Sequence, residues 1–589
     1  MYIFLLLISS FFTYLLFIKF VNEDVNKYIC FILSFFSTTL INHIIIYIFL
    51  GNIDISNAMN TITPSFMTKY ISMTIFTSFA VNFVYKYFKN NVKINKNVNY
   101  DKEKLWKNNI FFIIFIFINL DLLYFIRLYK DVPPEQFAFH LQVPVEGTSF
   151  NIIWHFLSQS LLPTLNVVIL LYLQYIIFKK LKLNITAKIR NKTFTIFPIL
   201  YFKKIFKIFI LLCTLVVLIY TAHNYNIIEF ITNQFVISEL IEDEYVNPND
   251  VSINFPNQKR NLIYIYLESM ETSFSDYTPN LNIVAKNNTI FSNSSPYGGF
   301  YELTGTNWTI ASMVAQTSGL PLKFSIESNS YNASKNTFLN GVDTLGEILT
   351  DNGYKNYLYI GSDANFAARK LYFETHGNYE ILDYVKAKEE NYIDSDYGVW
   401  WGYEDKKLYE FSKEKLTALA KEKEPFNFTL LTVDTHPEEG YLDETCKRNY
   451  NDQYANVVLC ADEMVYDFVS WIQKQSFYKN TTIVITGDHL YMAKLKILEN
   501  VKDKDRFIYN VVINSPVKYN SEVTHDYSAL DLFPTTLAAL GVKIEGNRLG
   551  LGVNLYSNEL TIIEKYGYNY VDNELKKKSS FYKNLSLYN

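Results

Sequence analysis

The chain has 589 residues, of which 49% are hydrophobic, 17% aromatic and 19% charged. That is too apolar for a disordered chain and long enough for roughly two to four domains. A formal net charge of −4 supplies no basic field, which excludes nucleic acid as a partner, and four cysteines exclude a disulfide-rich scaffold.

The apolar residues concentrate before residue 223. Six runs stand out: Tyr2–Phe17, Tyr28–Leu50, Ser65–Tyr85, Ile110–Leu128, Ile152–Phe178 and Ile205–Ala222. Most approach the ~20 residues with which a helix crosses about 30 Å of hydrocarbon. The connections between them carry, in order, two, none, seven, one and nine Lys or Arg. This alternation puts the first, third and fifth connections in the cytoplasm and everything after Ala222 outside it. The first run lacks a basic n-region and a small-x-small cleavage site, so it reads as a retained helix. Asp121 and Arg127 fall toward the outer half of the fourth run, where snorkelling accounts for them. The outward connection Lys130–Asn151, with Pro133, Pro134 and Pro144, is expected on the membrane surface. His43, His140 and His155 lie in or beside membrane runs and His223 follows the last one, so none is assigned a site role. Residues 1–222 therefore read as a transmembrane domain of about six helices, and residues 223–260 as a linker.

From Asn261 the pattern changes. Short apolar runs bounded by turn residues occur at Asn261–Leu267, Asn356–Ile360, Phe426–Val433, Thr482–Thr486 and Asn510–Ile513. Helix-length stretches such as Leu408–Lys421 and Ala461–Lys474 lie between them. Alternating strands and helices predict an α/β domain over 261–556 with a central mixed, mostly parallel sheet. Such sheets bind ligands beyond the carboxyl ends of their strands. Glu268 and Ser269 follow the first strand, Asp434, Thr435 and His436 the Phe426–Val433 strand, and Gly487, Asp488 and His489 the Thr482–Thr486 strand. Taken singly these are helix caps or loop features; converging on one edge they are what a metal-assisted site needs.

Gly305-Thr306-Asn307-Trp308-Thr309 precedes an apolar helical pattern. There a hydroxyl either caps the helix or sits where backbone N–H groups hold a phosphate, and capping by Thr306 or Thr309 is the simpler reading. Cys446 and Cys460, fourteen apart in a compartment that permits disulfides, are expected to bridge, while Cys30 and Cys213 read as inert apolar residues. His376 is assigned to a helix end and His525 is left open. Residues 557–589 read as a polar, solvated tail, in which Lys576-Lys577-Lys578 could touch anionic lipid.

Together, the Leu262–Ser269 run, the Gly305–Ala315 stretch, Gly319-Leu320-Pro321-Leu322, Leu431–Pro437 and Thr486-Gly487-Asp488-His489 resemble the lipoteichoic acid synthase and phosphoglycerol transferase family. That family belongs to the alkaline phosphatase/sulfatase-like superfamily. The branch that decorates membrane-derived oligosaccharides (periplasmic glucans) is nearer in pattern. The resemblance covers roughly Asn261–Leu555, with a late segment at Ala529–Thr535; the apolar part resembles the family only as a multi-helix anchor. It implies Thr309 as nucleophile, and Glu268, Asp488, His489 and the Thr309 oxygen as metal ligands. It also implies Arg369 near the transferred phosphate and His436 as a substrate contact. Where the synthases carry a tryptophan and a histidine in the glycerol pocket, this chain has Ala367 and Ile360.

The implied activity is a metal-dependent phosphotransferase of the bacterial inner membrane, multi-pass, with an extracytoplasmic, periplasmic catalytic domain. Thr309 would attack phosphatidylglycerol and release diacylglycerol. A glycan hydroxyl would then take the phosphoglycerol, with His436 as acid or base and Arg369 on the phosphoryl oxygens. Mixed oxygen and nitrogen ligation suits Mn²⁺ first, with Zn²⁺ or Mg²⁺ as alternatives, rather than Ca²⁺. The rival readings are a phosphoethanolamine transferase acting on lipid A or glycan, a sulfatase-like hydrolase, and a non-catalytic membrane glycan- or lipid-binding protein.

Overall fold

A computed structural model of the chain describes residues 92–95, 110–128, 132–140, 184–189, 192–196, 198–323, 331–332, 337–437 and 439–587. The first, second, third and fifth apolar runs lie outside the described residues. The fourth run is the helix Ile110–Leu128, and the sixth falls within the helix Pro198–Asn224. Over the described residues, no helix is long and apolar enough to cross a membrane. The chain divides into two compact units, Met1–Asp121 with Ser158–Val216, and Leu122–Leu157 with Val217–Asn589. In the first, strands Val92–Asn95, Asn184–Ile189 and Lys192–Ile196 form an antiparallel sheet. It joins segments of the third and fifth connections.

The second unit is built on a six-stranded sheet. Its strands are β1 (Asn261–Leu267), β2 (Lys355–Ile360), β3 (Glu380–Leu382), β4 (Phe426–Leu431), β5 (Thr481–Gly487) and β6 (Asn510–Ile513), in the order β6-β5-β1-β4-β2-β3. Every pairing is parallel except β5 with β6. β1 reads Asn-Leu-Ile-Tyr-Ile-Tyr-Leu and is buried from Leu262 to Leu267, because parallel strands covered on both faces bury every side chain. The two faces divide the core: Leu262, Tyr264 and Tyr266 pack on one side, Ile263, Ile265 and Leu267 on the other.

Five helices matter for the site: α1 (Pro134–His140), α2 (Thr309–Ser318), α3 (Arg369–Thr375), α4 (Asp405–Leu419) and α5 (Gln453–Gln473). In α2 every residue from Ile310 to Ser318 is buried. The helix is anchored to the sheet where Tyr264 Oη donates to Gln316 Oε1 at 2.7 Å. Cys446 and Cys460 are bridged, with Cα atoms 5.7 Å apart. The stretch after Leu555, expected to be a solvated tail, forms the helices Ile562–Tyr566, Tyr568–Lys576 and Ser580–Leu587, and buries Val571 and Leu575. Its apolar residues recur at helical spacing between the lysines, a weak signal in a polar segment.

Candidate active site

β1 and β5 run in register, with Leu267 opposite Gly487, and β4 flanks β1 with Leu431 opposite Tyr266. The residues that follow these strands therefore leave the sheet together. Gly487 permits the close passage: a Cβ there would lie 2.0 Å from the Met270 carbonyl oxygen. Ser269 takes a left-handed φ of 53°, its N–H donates to Asp488 Oδ1 at 2.7 Å, and its hydroxyl donates to Glu268 Oε1 at 2.8 Å. The His489 N–H also donates to Asp488 Oδ1, at 2.8 Å. On the β4 side, Thr435 Oγ1 donates to the Glu268 carbonyl at 2.6 Å, fixing one loop on the other. Asp434 turns away and accepts from the Asp405 N–H at 3.2 Å.

Glu268, Asp488 and His489 are buried, and their ligating atoms lie within 4.8 Å of one another. His489 Nε2 is 3.4 Å from both Glu268 Oε1 and Asp488 Oδ2. Nδ1 of the same ring faces the Leu490 carbonyl at 2.8 Å, an acceptor that fixes the proton there and leaves Nε2 for the cluster. Thr309 Oγ1 is 3.4 Å from Glu268 Oε2 and from His489 Nε2. Separations of this size suit donors that share one small N/O-ligated dication. Asp488 Oδ2 is buried and has no hydrogen-bond partner among the described residues. The electrostatics agree. Burial pushes the Glu268 carboxyl up, but the hydrogen bond and charge of His489 outweigh it and hold it at about 2. Burial and the Glu268 charge push Asp488 up to about 7. His489 is pushed down by burial yet raised to about 10 by Asp488 and Glu268. Two buried carboxylates converge on one imidazole, and these residues fit a divalent cation.

Thr309 opens α2 at its first position. It is not a cap: the helix has no side-chain cap, and Thr306 is occupied with Leu303, accepting its N–H at 3.1 Å and donating to its carbonyl at 2.9 Å. Thr309 is half-buried, and its hydroxyl reaches the cluster. Arg369 is buried at the start of α3 after two left-handed residues, Ala367 at φ 57° and Ala368 at φ 58°. Its guanidinium donates to the carbonyls of Phe366 and Asp363 and to Ser362 Oγ, and no hydrogen bond to Nη1 occurs among the described residues. Burial pushes its pKa down to about 10 against the pull of Glu268, which leaves it charged at neutral pH. His436 donates from Nδ1 to the Pro437 carbonyl at 2.6 Å, an acceptor, so Nε2 carries the lone pair. Burial lowers its pKa, and Glu268 and His489 lie within range of its charge. All six residues expected at the site are thus gathered by one edge of the sheet.

Residues 260–542 match the family described as "Sulfatase". The phosphoglycerol transferase I of Escherichia fergusonii is 32% identical over 321 residues, covering 52% of this chain and 40% of that protein. The same enzyme of Salmonella choleraesuis is 30% identical over 312 residues, with the same shares. The lipoteichoic acid synthase LtaP of Listeria monocytogenes matches in structure with a TM-score of 0.42 and 18% identity, over 55% of this chain and 82% of that one. The Sulfatase match covers just under half of this chain. The chain's match to the curated relatives spans about two fifths of their length.

Around this site lie three rings to which the sequence assigns no role. Trp401 sits 4.2 Å from the His436 ring, and Phe366 is 5.2 Å from Trp401. Trp401 is fixed by a close crossing, because a Cβ on Gly402 would meet the Gly361 carbonyl oxygen at 2.1 Å. The adjacent tryptophans in Gly398-Val399-Trp400-Trp401-Gly402 were a visible signal for it. The third ring is His140, stacked on Phe366 at 5.5 Å; it comes from outside the matched stretch and no local pattern marks it. Ile360 and Ala367 are buried.

Proposed function

We propose that the protein is a membrane-anchored phosphoglycerol transferase. It moves phosphoglycerol from phosphatidylglycerol to an extracytoplasmic glycan through a covalent Thr309 intermediate, and releases diacylglycerol. The observation that carries this reading is the Thr309 oxygen, 3.4 Å from both Glu268 and His489. The similarity to phosphoglycerol transferases from two bacteria supports the transferred group. In this reading residues 1–222 anchor the chain in the inner membrane, 223–260 link, 261–556 catalyse on the periplasmic side, and 557–589 follow. The exposed row Leu211, Leu212, Leu215, Val216 and Ile219 on the helix Pro198–Asn224 supports the anchor.

The chemistry follows from the residues. Glu268, Asp488, His489 and the Thr309 oxygen suit Mn²⁺ or Zn²⁺, and such a cation supplies positive charge beside the Thr309 oxygen and the phosphoryl group. Thr309 Oγ forms a bond to phosphorus as the bond from phosphorus to the diacylglycerol oxygen breaks. The threonine proton ends on that leaving oxygen. In the second half the acceptor hydroxyl bonds to phosphorus, the Thr309 oxygen leaves, and the acceptor's proton returns to it. His436, neutral and with Nε2 open, is the carrier of these protons. Arg369 holds the non-bridging phosphoryl oxygens.

The test is the mass of the Thr309 peptide after incubation with Mn²⁺ and either phosphatidylglycerol or phosphatidylethanolamine. A phosphoglycerol adduct, with diacylglycerol released, is the expected result. A phosphoethanolamine adduct instead would keep the mechanism and replace the donor. Neither adduct nor diacylglycerol would leave a lipid- or glycan-binding protein.

A further inference from the structure

Helix α1, in the connection between the fourth and fifth apolar runs, packs into the second unit by burying Gln136 and Phe139. The Phe139 ring lies 6.1 Å from Trp308, the residue before Thr309, and 6.3 Å from Phe338. The next residue, His140, stacks on Phe366 with the ring planes 28° apart. Phe366 carries the Arg369 guanidinium over its ring at 5.6 Å and leads through Trp401 to His436. α1 therefore touches both sides of the reaction centre: the turn that presents Thr309 and the turn that presents Arg369.

We propose that α1 is a wall of the transfer site and that the His140 imidazole hydrogen-bonds the polyol head of the transferred group. Neither ring nitrogen of His140 has a hydrogen-bond partner among the described residues. Burial and the neighbouring Arg369 charge push its pKa down to about 4, so at neutral pH the ring offers one N–H donor and one lone pair. That pairing matches a hydroxyl, which both donates and accepts. An ammonium head only donates, and beside Arg369 it meets a like charge. The Trp308 indole N–H, packed beside Phe139, also has no partner among the described residues.

This proposal rests on the phosphoglycerol reading, and one experiment separates the two. Glycerol 1-phosphate, ethanolamine phosphate and inorganic phosphate are titrated calorimetrically into the metal-loaded full-length protein and its H140A, H140Q and H140F variants. The wild type is expected to prefer glycerol phosphate. H140A should weaken glycerol phosphate about tenfold, the loss of one hydrogen bond, and inorganic phosphate less than about twofold. H140Q should recover most of the loss, and H140F, which keeps the stacking, should not. In turnover H140A should raise KM for phosphatidylglycerol about tenfold with kcat within about threefold. Equal weakening of both ligands would mean that His140 acts through Arg369 or packing, and would overturn the contact, as would no weakening at all. A wild type that prefers ethanolamine phosphate overturns the phosphoglycerol reading and this inference together. A wild type that prefers glycerol phosphate while H140A matches it overturns this inference alone.

Discussion

Thr309 is a β-branched alcohol whose side chain is stiff at χ1. At the first position of α2 its oxygen points at a nitrogen and a carboxylate 3.4 Å away, with nothing spent on capping. Thr309→Ala removes the attacking atom, and turnover is expected to fall at least about a thousandfold with no adduct on the peptide. Thr309→Ser keeps the atom on a looser stem and should retain an adduct, with turnover within about a hundredfold of wild type. An alanine variant as fast as the serine variant would sink the nucleophile assignment. Asp488 makes the second residue-scale prediction. Its Oδ1 is occupied by two N–H groups while Oδ2 is open toward His489. Asp488→Asn preserves the first role and impairs the second. Residues that merely orient a metal ligand typically cost about 10–100-fold in affinity when lost, so Asp488→Asn should cost more than about a hundredfold. Metal content after dialysis reads this directly; stoichiometric metal in the variant would remove Asp488 from the ligand set.

Among elements, the three strand ends that build the site were legible because parallel strands buried on both faces print as unbroken apolar runs. β1 and β6 fall where the sequence predicts them, and β4 stops two residues short of the expected Val433, where Thr432 leaves the strand to accept the Glu268 N–H. β3 has three residues, too few to show a pattern. α5 begins eight residues before the expected Ala461, because the Asp452 side chain accepts the Ala455 N–H and starts the helix there. The contribution of α1 was not legible: it lies between apolar runs, and its ring contacts join residues more than a hundred positions apart. The β5 end makes the element-scale prediction. Gly487→Ala puts a Cβ 2.0 Å from the Met270 carbonyl and 2.8 Å from Ile508 Cγ2. Backbone must move, at a cost of about 3 kcal/mol, and the movement is transmitted to Asp488, the next residue. A thermal midpoint lower by about 5 °C or more, together with weaker metal retention, is expected. A variant with wild-type midpoint and metal content would mean the crossing is looser than the geometry requires.

The second unit as a whole is held around its site by long-range clamps that no local pattern reveals. The helix Tyr568–Lys576 carries Asp572, whose Oδ1 accepts from the N–H and hydroxyl of Thr304 at 2.8 Å, at the residue immediately before Gly305 in the turn that leads to the nucleophile. The preceding helix, Ile562–Tyr566, is pinned by His525 and Glu564. The ring's Nδ1 lies 3.2 Å from both Glu564 oxygens and its Nε2 3.2 Å from the Ser557 carbonyl, so both nitrogens face acceptors and the protonated ring satisfies both. Burial pushes the His525 pKa down, but the bond and charge of Glu564 outweigh it and leave it raised. Glu564 is pushed up by burial and, on balance, lowered by His525. An imidazole with a folded pKa above its ordinary 6.5 stabilises fully below that pH and loses the contribution as pH rises through the folded value. A carboxylate with a folded pKa below its ordinary 4.5 stabilises fully above that pH and loses it as pH falls through the folded value. The pair therefore contributes most between about pH 4.5 and 6.5. Over pH 6 to 8.5 the thermal midpoint of the wild type should fall toward that of H525Q, with the gap widest at pH 6. Parallel curves across that range would mean that His525 is neutral in the folded protein, and that the tail is held beneath the Thr304 turn by packing of Val571 and Leu575 instead.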